Sequence, residues 1–162
     1  DPKYASAYLN RGNARVDRDP AGALKDYDEA VRILPAYADA VANRGLAKFT
    51  LGDYDGGVAD LNRALELNPG HYRALVNRGL ARITKRDFKT AREDVEAAIR
   101  MKPAEPDAWY FRAIVRGEEG DLDGAIEDCA KSLSIAPKEW KYGAGAESLL
   151  AKARERKGRK QN

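Results

Sequence analysis

Asn10, Asn43 and Asn77 each stand directly before an arginine and a glycine, so the triplet Asn-Arg-Gly occurs three times, with Phe111-Arg112-Ala113 as a worn fourth copy. A carboxamide offers both a donor and an acceptor. A row of them can therefore grip the N–H and C=O groups of an extended polypeptide. The arginines that follow, Arg11, Arg44, Arg78 and Arg112, carry a planar fork of donors suited to carboxylates and are rarely buried without one. Carboxylates stand at Asp26, Asp60, Asp94 and Asp128, 34 residues apart each time. This spacing predicts an Arg–Asp ladder that ties helices together, within a copy or to the next copy. An exposed cationic stripe for acidic ligands is the alternative.

Catalytic chemistry is not visible in the same inventory. The chain has one histidine, His71, and one cysteine, Cys129, which excludes an internal disulfide and any multi-cysteine zinc site. His71 follows Pro69 and reads as a surface-loop residue. Cys129 sits in a bulky core position and reads as an inert buried thiol. Gly143-Ala144-Gly145 lacks the preceding strand and full pattern of a phosphate loop, so it reads as a flexible helix start. No enzyme activity, cofactor or metal is expected.

These residues are positioned by a repeat. Prolines recur at Pro35, Pro69, Pro103 and Pro137, and small residues keep step at Ala23, Gly57, Ala91 and Ala125 and at Ala30, Ala64, Ala98 and Ser132. Between them stand the larger Tyr27, Leu61, Val95 and Cys129. The step from Gly12 to Gly45 is 33, so the first copy lacks one residue, in the turn around Arg18-Asp19-Pro20. Turn signals at 51–55, 85–89 and 119–123 split each copy into two helices, and each proline closes the second. Helices are predicted near 5–17, 21–34, 38–50, 54–67, 72–84, 88–101, 106–118 and 122–135. A ninth, amphipathic stretch runs from 142 to 157, and the end beyond it is expected to fray. Two such helices cannot bury their apolar faces alone, so the copies must stack.

A 34-residue period with this placing of aromatic, glycine, alanine and proline resembles the tetratricopeptide repeat (TPR) family, in its bacterial form. The resemblance implies an all-α, right-handed superhelical α-solenoid of antiparallel helix pairs. It covers four repeats, 5–37, 38–71, 72–105 and 106–139, in a single domain over 1–162. A capping helix and basic tail fill 140–162, and Asp1-Pro2 looks like the end of a preceding copy. In this family the first helix of each pair lines a concave groove. The lining implied here is Leu9, Asn10, Asn13 and Val16, then Ala42, Asn43, Leu46 and Phe49. The third copy adds Arg73, Val76, Asn77, Leu80 and Ile83, and the fourth Tyr110, Phe111 and Ile114. Asn10, Asn43 and Asn77 resemble the asparagine ladder with which some members hold peptide backbones; bonds to water or to neighbouring copies are the plainer alternative. The carboxylate clamp of chaperone adaptors fits less well. Asn13, Asn43 and Arg73 match it, but Leu9 and Asn77 replace two of its cations, which carboxylate pairing needs. The position after each groove asparagine is usually a packed leucine in the family. Here it is arginine, with Arg15, Lys48, Arg82 and Arg116 four residues on. Trp109 is expected in the family's aromatic core slot, and Trp140 to hold the cap on the fourth copy.

Composition sets the remaining bounds. The 162 residues are 43% hydrophobic and 34% charged, with a net charge of +3, as in a folded, water-soluble chain. That charge is too mild to imply nucleic acid, and no apolar run approaches the roughly 20 residues of a membrane-spanning helix. Lys152 to Lys160 holds six cations and one glutamate without interleaved aromatics, so it reads as a solvated cap rather than a nucleic-acid or membrane contact. Asp1 in place of Met suggests a fragment or processed chain, which leaves the compartment open; the cytoplasm is favoured over the periplasm. The function expected is a non-catalytic interaction module that takes a partner peptide in the groove. A structural or self-associating segment of a longer solenoid is the alternative.

Overall fold

The computed structural model describes residues 1–161, with side chains through Arg159. Asn162 and the side chain of Lys160, part of the basic tail discussed above, lie outside the described residues. Among the described residues the secondary structure is entirely helical: α1 (Pro2–Arg15), α2 (Pro20–Ile33), α3 (Ala38–Thr50), α4 (Tyr54–Leu67), α5 (Tyr72–Thr84), α6 (Phe88–Met101), α7 (Pro106–Glu119), α8 (Leu122–Ile135) and α9 (Gly143–Gln161). The chain forms two compact units, Asp1–Ala81 and the part from Arg82 onward. In the first, α1 packs on α2, α2 on α3 and α3 on α4; in the second, α6 packs on α7, α7 on α8 and α8 on α9.

Local chemistry sets the helix boundaries. Every second helix starts on an aspartate cap, Asp19, Asp53, Asp87 or Asp121, whose carboxylate accepts the N–H of the third helical residue. That residue is Gly22, Gly56 or Gly124 in three copies, where a Cβ would come within 2.3 Å of the capping carboxylate. Thr90 takes this place in the third copy, and the cap bond lengthens to 3.3 Å. The turn before the cap carries a left-handed residue at Gly52, Arg86 and Gly120, again 34 apart. The first copy has none, so the residue it lacks is the left-handed one.

Both ends of the chain differ from expectation. α1 begins at Pro2 rather than near residue 5, because Asp1 accepts the Lys3 N–H and proline is preorganised for the first helical turn. Asp1-Pro2 is thus the start of α1. α9 runs on to Gln161 instead of fraying after 157. Its basic residues are good helix formers, and Arg159 pairs with Glu155 one turn back at 2.6 Å.

Two features hold the helix pairs together. The first, seen between α3 and α4, is close backbone approach. A Cβ on Gly45 would sit 2.9 Å from the Gly57 carbonyl oxygen, and one on Gly57 would sit 2.8 Å from that of Gly45. Any larger side chain would push α3 and α4 apart. The second is a buried aspartate held by cations from the first helix of its own copy. Arg11 and Arg15 reach Asp26 at 2.5 and 3.2 Å, and Arg44 and Lys48 reach Asp60 at 2.7 and 2.8 Å. In the second unit Arg112 and Arg116 reach Asp128 at 2.8 and 3.0 Å, and Arg82 reaches Asp94 at 2.7 Å. All four aspartates are buried.

The triplet arginine also reaches back to the preceding copy. Arg44 donates to Asp28 at 3.3 Å and Arg78 to Asn62 at 2.8 Å. Asp28, Asn62 and Glu96 share one repeat position. The Arg112 guanidinium is held above its usual range by its bond to Asp128, with Glu96 adding to the effect. One arginine thus serves the helix pair and the stacking of pairs at once.

Arg112→Ala leaves Asp128 with only Arg116 and is expected to cost about 2–4 kcal/mol in urea unfolding, less than loss of a sole partner. The bond from Arg11 holds the Asp26 carboxyl below its usual range of 3.8. Its contribution is therefore complete above about pH 4 and is lost as pH falls through the lowered folded value. The stability gap between wild type and Asp26→Asn should narrow as pH drops below about 4. Arg86 adopts φ 61° without being glycine, so Arg86→Gly should raise stability by about 0.5–1 kcal/mol despite losing its exposed pairing with Glu118.

Candidate functional site

Within the first unit, α1, α2, α3 and α5 bring six side chains around one hollow of about 210 Å³: Asn13, Val16, Tyr27, Asn43, Leu46 and Arg73. Five of these are among the groove residues expected from sequence. Asn13 is the hub. Its Oδ1 accepts the Tyr27 hydroxyl at 3.0 Å and the Asn43 amide N–H at 2.7 Å. The second bond crosses from one copy to the next, so these amides serve the stack as well as the hollow. Arg73 is exposed at the rim, and no carboxylate lines the hollow.

Tyr27 is expected in the core, and its ring is there, 2% exposed. The ring runs beneath Gly12, where a Cβ would meet it at 2.5 Å, and this path delivers its hydroxyl to the hollow. Burial pushes that hydroxyl above its usual range. The sequence carries a signal for this: of Tyr27, Leu61, Val95 and Cys129, only Tyr27 has a long body with a polar tip.

The other expected groove residues divide. Asn10 is exposed, and Asn77, Phe49 and Leu80 are half-buried. Phe49 meets the Tyr54 ring edge to face at 5.0 Å. Leu9, Ala42 and Val76 are buried and belong to the core, not to a groove floor. Ile83, in the second unit, is half-buried.

In the second unit the fourth copy needs a correction. Phe111 is 1% exposed and cannot serve as an open pocket. Tyr142, from the turn before α9, meets the Phe111 ring at 5.1 Å and the Tyr110 ring at 5.7 Å. Trp140 packs edge-on to Tyr110 and donates its indole N–H to Asp107 at 2.6 Å. Gly145 lets α9 approach, since a Cβ there would stand 2.5 Å from the Tyr110 hydroxyl. The aromatic end is thus filled by the chain's own cap. Ile114 lies elsewhere, in a hollow of about 420 Å³ with Leu122, Leu149 and Ala153.

Two single residues also differ from expectation. His71 is not a surface-loop residue; it is 7% exposed. Its Nδ1 accepts the Ala74 N–H at 3.1 Å, which places the ring proton on Nε2, 3.0 Å from Asp39. It therefore caps α5 and ties that cap to α3. Trp109 is half-exposed rather than a core residue. Its ring supports the Arg112 guanidinium at 4.8 Å, and its indole N–H is spent on the Pro103 carbonyl. Cys129 is buried and its thiol is pushed up to about 11 by burial, so it is no nucleophile at neutral pH. Among the described residues no helix is long and apolar enough to cross a membrane. No group of three or more His, Cys, Asp or Glu residues there could hold a metal ion.

Comparisons with known proteins bear on the fold and the family. The chain resembles the solved structure of MamA from Desulfovibrio magneticus RS-1 at 25% identity and TM-score 0.72, over 94% of each chain. It resembles TTC0263, a TPR protein of Thermus thermophilus, at 21% identity and TM-score 0.78, over 93% of this chain and 82% of that one. The first TPR of Spaghetti (RPAP3), solved with the HSP90 peptide SRMEEVD, aligns at 24% identity and TM-score 0.68, over 74% of this chain and 96% of that one. At these identities the likeness establishes the fold, an all-α stack of TPR helix pairs. No curated protein sequence matches the chain. The sequence profile described as Tetratricopeptide repeat matches residues 42–86 and 77–139. With well over half of its length so matched, the chain belongs to the tetratricopeptide repeat family.

Proposed function

We propose that the protein is a non-catalytic interaction module and that its first unit holds a segment of a partner polypeptide in the hollow around Asn13 and Asn43. The observation that carries this reading is the make-up of that hollow. Val16 and Leu46 supply an apolar surface, Asn43 and the Tyr27 hydroxyl meet at Asn13, and Arg73 stands at the rim with no carboxylate in the lining. A peptide can place an apolar side chain against Val16 and Leu46 while its backbone meets the free hydrogen-bonding capacity of the amides. Asn10 and Asn77 extend the polar row along α1 and α5. The peptide held by RPAP3 shows that this fold can take such a guest in a relative; the guest of this chain is a separate matter. An apolar guest residue with an acidic neighbour fits the rim best, because Arg73 can pair it.

A displayed-peptide library selected on wild-type protein supplies the probe. Asn43→Ala with Asn77→Ala should weaken the selected peptide about tenfold or more, with the helical circular dichroism unchanged. Leu46→Arg should abolish binding. Unchanged affinity in both variants would remove the hollow from the mechanism.

A further inference from the structure

Near its start α9 is seated on α7, because Gly145 leaves room for the Tyr110 hydroxyl. Further along, space is left between the two helices. At the repeat position held by Val16, Phe49 and Ile83 in the other copies, α7 carries Gly117. With no side chain there, a hollow of about 420 Å³ opens between α7, the start of α8 and α9. Its apolar lining is aliphatic throughout: Ile114, Leu122, Leu149 and Ala153. Leu122 and Ala153 are buried, and Ile114 and Leu149 are half-buried. The other side chains that line it are charged, those of Glu118, Lys152, Glu155 and Arg156, with no hydroxyl or carboxamide among them. Both carboxylates are already spent. Glu118 accepts from Arg86 at 3.1 Å and Glu155 from Arg159 at 2.6 Å. Lys157, next to Arg156, is spent on Asp123. Lys152 and Arg156 are exposed and have no ion-pair partner among the described residues.

We infer that this hollow binds a small aliphatic monocarboxylate, with its alkyl chain on the floor and its carboxylate at the rim between Lys152 and Arg156. Leu149, Lys152, Ala153 and Arg156 follow the helical period, so one face of α9 presents both the floor and the two cations. Like charges four residues apart on a helix repel each other. An anion between them removes that repulsion and gains charge-assisted hydrogen bonds. The volume lies in the range of small-ligand sites, which are mostly apolar with a few placed polar groups. An aliphatic floor offers no ring for an aromatic ligand to stack on, so an alkyl chain fits it best. Without amide or hydroxyl side chains, the lining has none of the groups with which the Asn13 hollow can meet a peptide backbone. The site lies wholly in the second unit and does not depend on that hollow.

The probe is decanoate, kept below its micelle concentration and titrated into the whole chain by isothermal calorimetry. Saturable one-to-one binding is expected with Kd of about 0.1–1 mM. Decyltrimethylammonium, the same chain with the opposite charge, should bind about tenfold more weakly or worse. Gly117→Leu should abolish binding and leave the helical circular dichroism unchanged. A Cβ there meets only Leu149 and Ala125, at 3.8 and 3.9 Å, and the rest of the side chain enters the hollow. Lys152→Gln with Arg156→Gln should weaken binding about tenfold without disturbing the fold, since both residues are exposed. Absence of saturable binding up to about 5 mM would overturn the inference. Undiminished binding by either variant, or equal binding of decyltrimethylammonium, would do the same. Displacement of decanoate by a short peptide ending in leucine, at a lower concentration than decanoate itself needs, would also overturn it, by assigning the hollow to the end of a polypeptide.

Discussion

Each helix pair is organised around one buried carboxylate held by basic side chains. An aspartate on the second helix is isolated from water, so its charge must be matched within the protein. In the first, second and fourth copies the first helix matches it with two cations four residues apart, which fixes the rotation and height of one helix against the other. The triplet arginine also reaches back to an acceptor on the preceding pair, as from Arg44 to Asp28 and Arg78 to Asn62. A polar, directional contact thereby sets the register within and between pairs. The apolar core, largely alanine and glycine at the contact points, supplies close approach but little orientation of its own.

The hollow around Asn13 is a by-product of that tight packing. Because Gly12 presents no side chain, the Tyr27 ring can pass beneath α1 and bring a hydroxyl to the far side. That hydroxyl and Asn43 both donate to Asn13, which turns two separate copies into one polar surface. In the fourth copy Phe111 stands at the repeat position of Asn43, and Tyr142 covers it while Trp140 packs on its neighbour Tyr110. Equivalent repeat positions thus have unequal uses. The first unit leaves an open hollow next to a positive rim, while the fourth copy spends its aromatics on seating α9.

Much of this is legible in the sequence because the repeat averages out local ambiguity. α3, α4, α5, α6 and α8 have the predicted boundaries, since caps and turn residues recur at the same offset. The Arg–Asp spacing points to the pairs, and the structure adds that a carboxylate can have two cations and a triplet arginine two acceptors. Residues that depart from the repeat are the ones that mislead. His71 reads as loop because no other copy has histidine there, yet its Nδ1 takes the place of a capping oxygen. Phe111 and Trp109 are placed by family position, but the cap turn buries the first and Arg112 holds the second at the surface. Neither outcome can be read from spacing, because each depends on a neighbour outside the repeat pattern.

The claim on which the rest depends is that the arginine and aspartate of a pair act as one unit. A double-mutant cycle on Arg44 and Asp60, with each single alanine variant and the double variant unfolded in urea at neutral pH, measures this directly. The account predicts a coupling of about 2 kcal/mol or more, because either single change leaves a buried charge poorly matched. Single effects that simply add, to within about 0.5 kcal/mol, would contradict it.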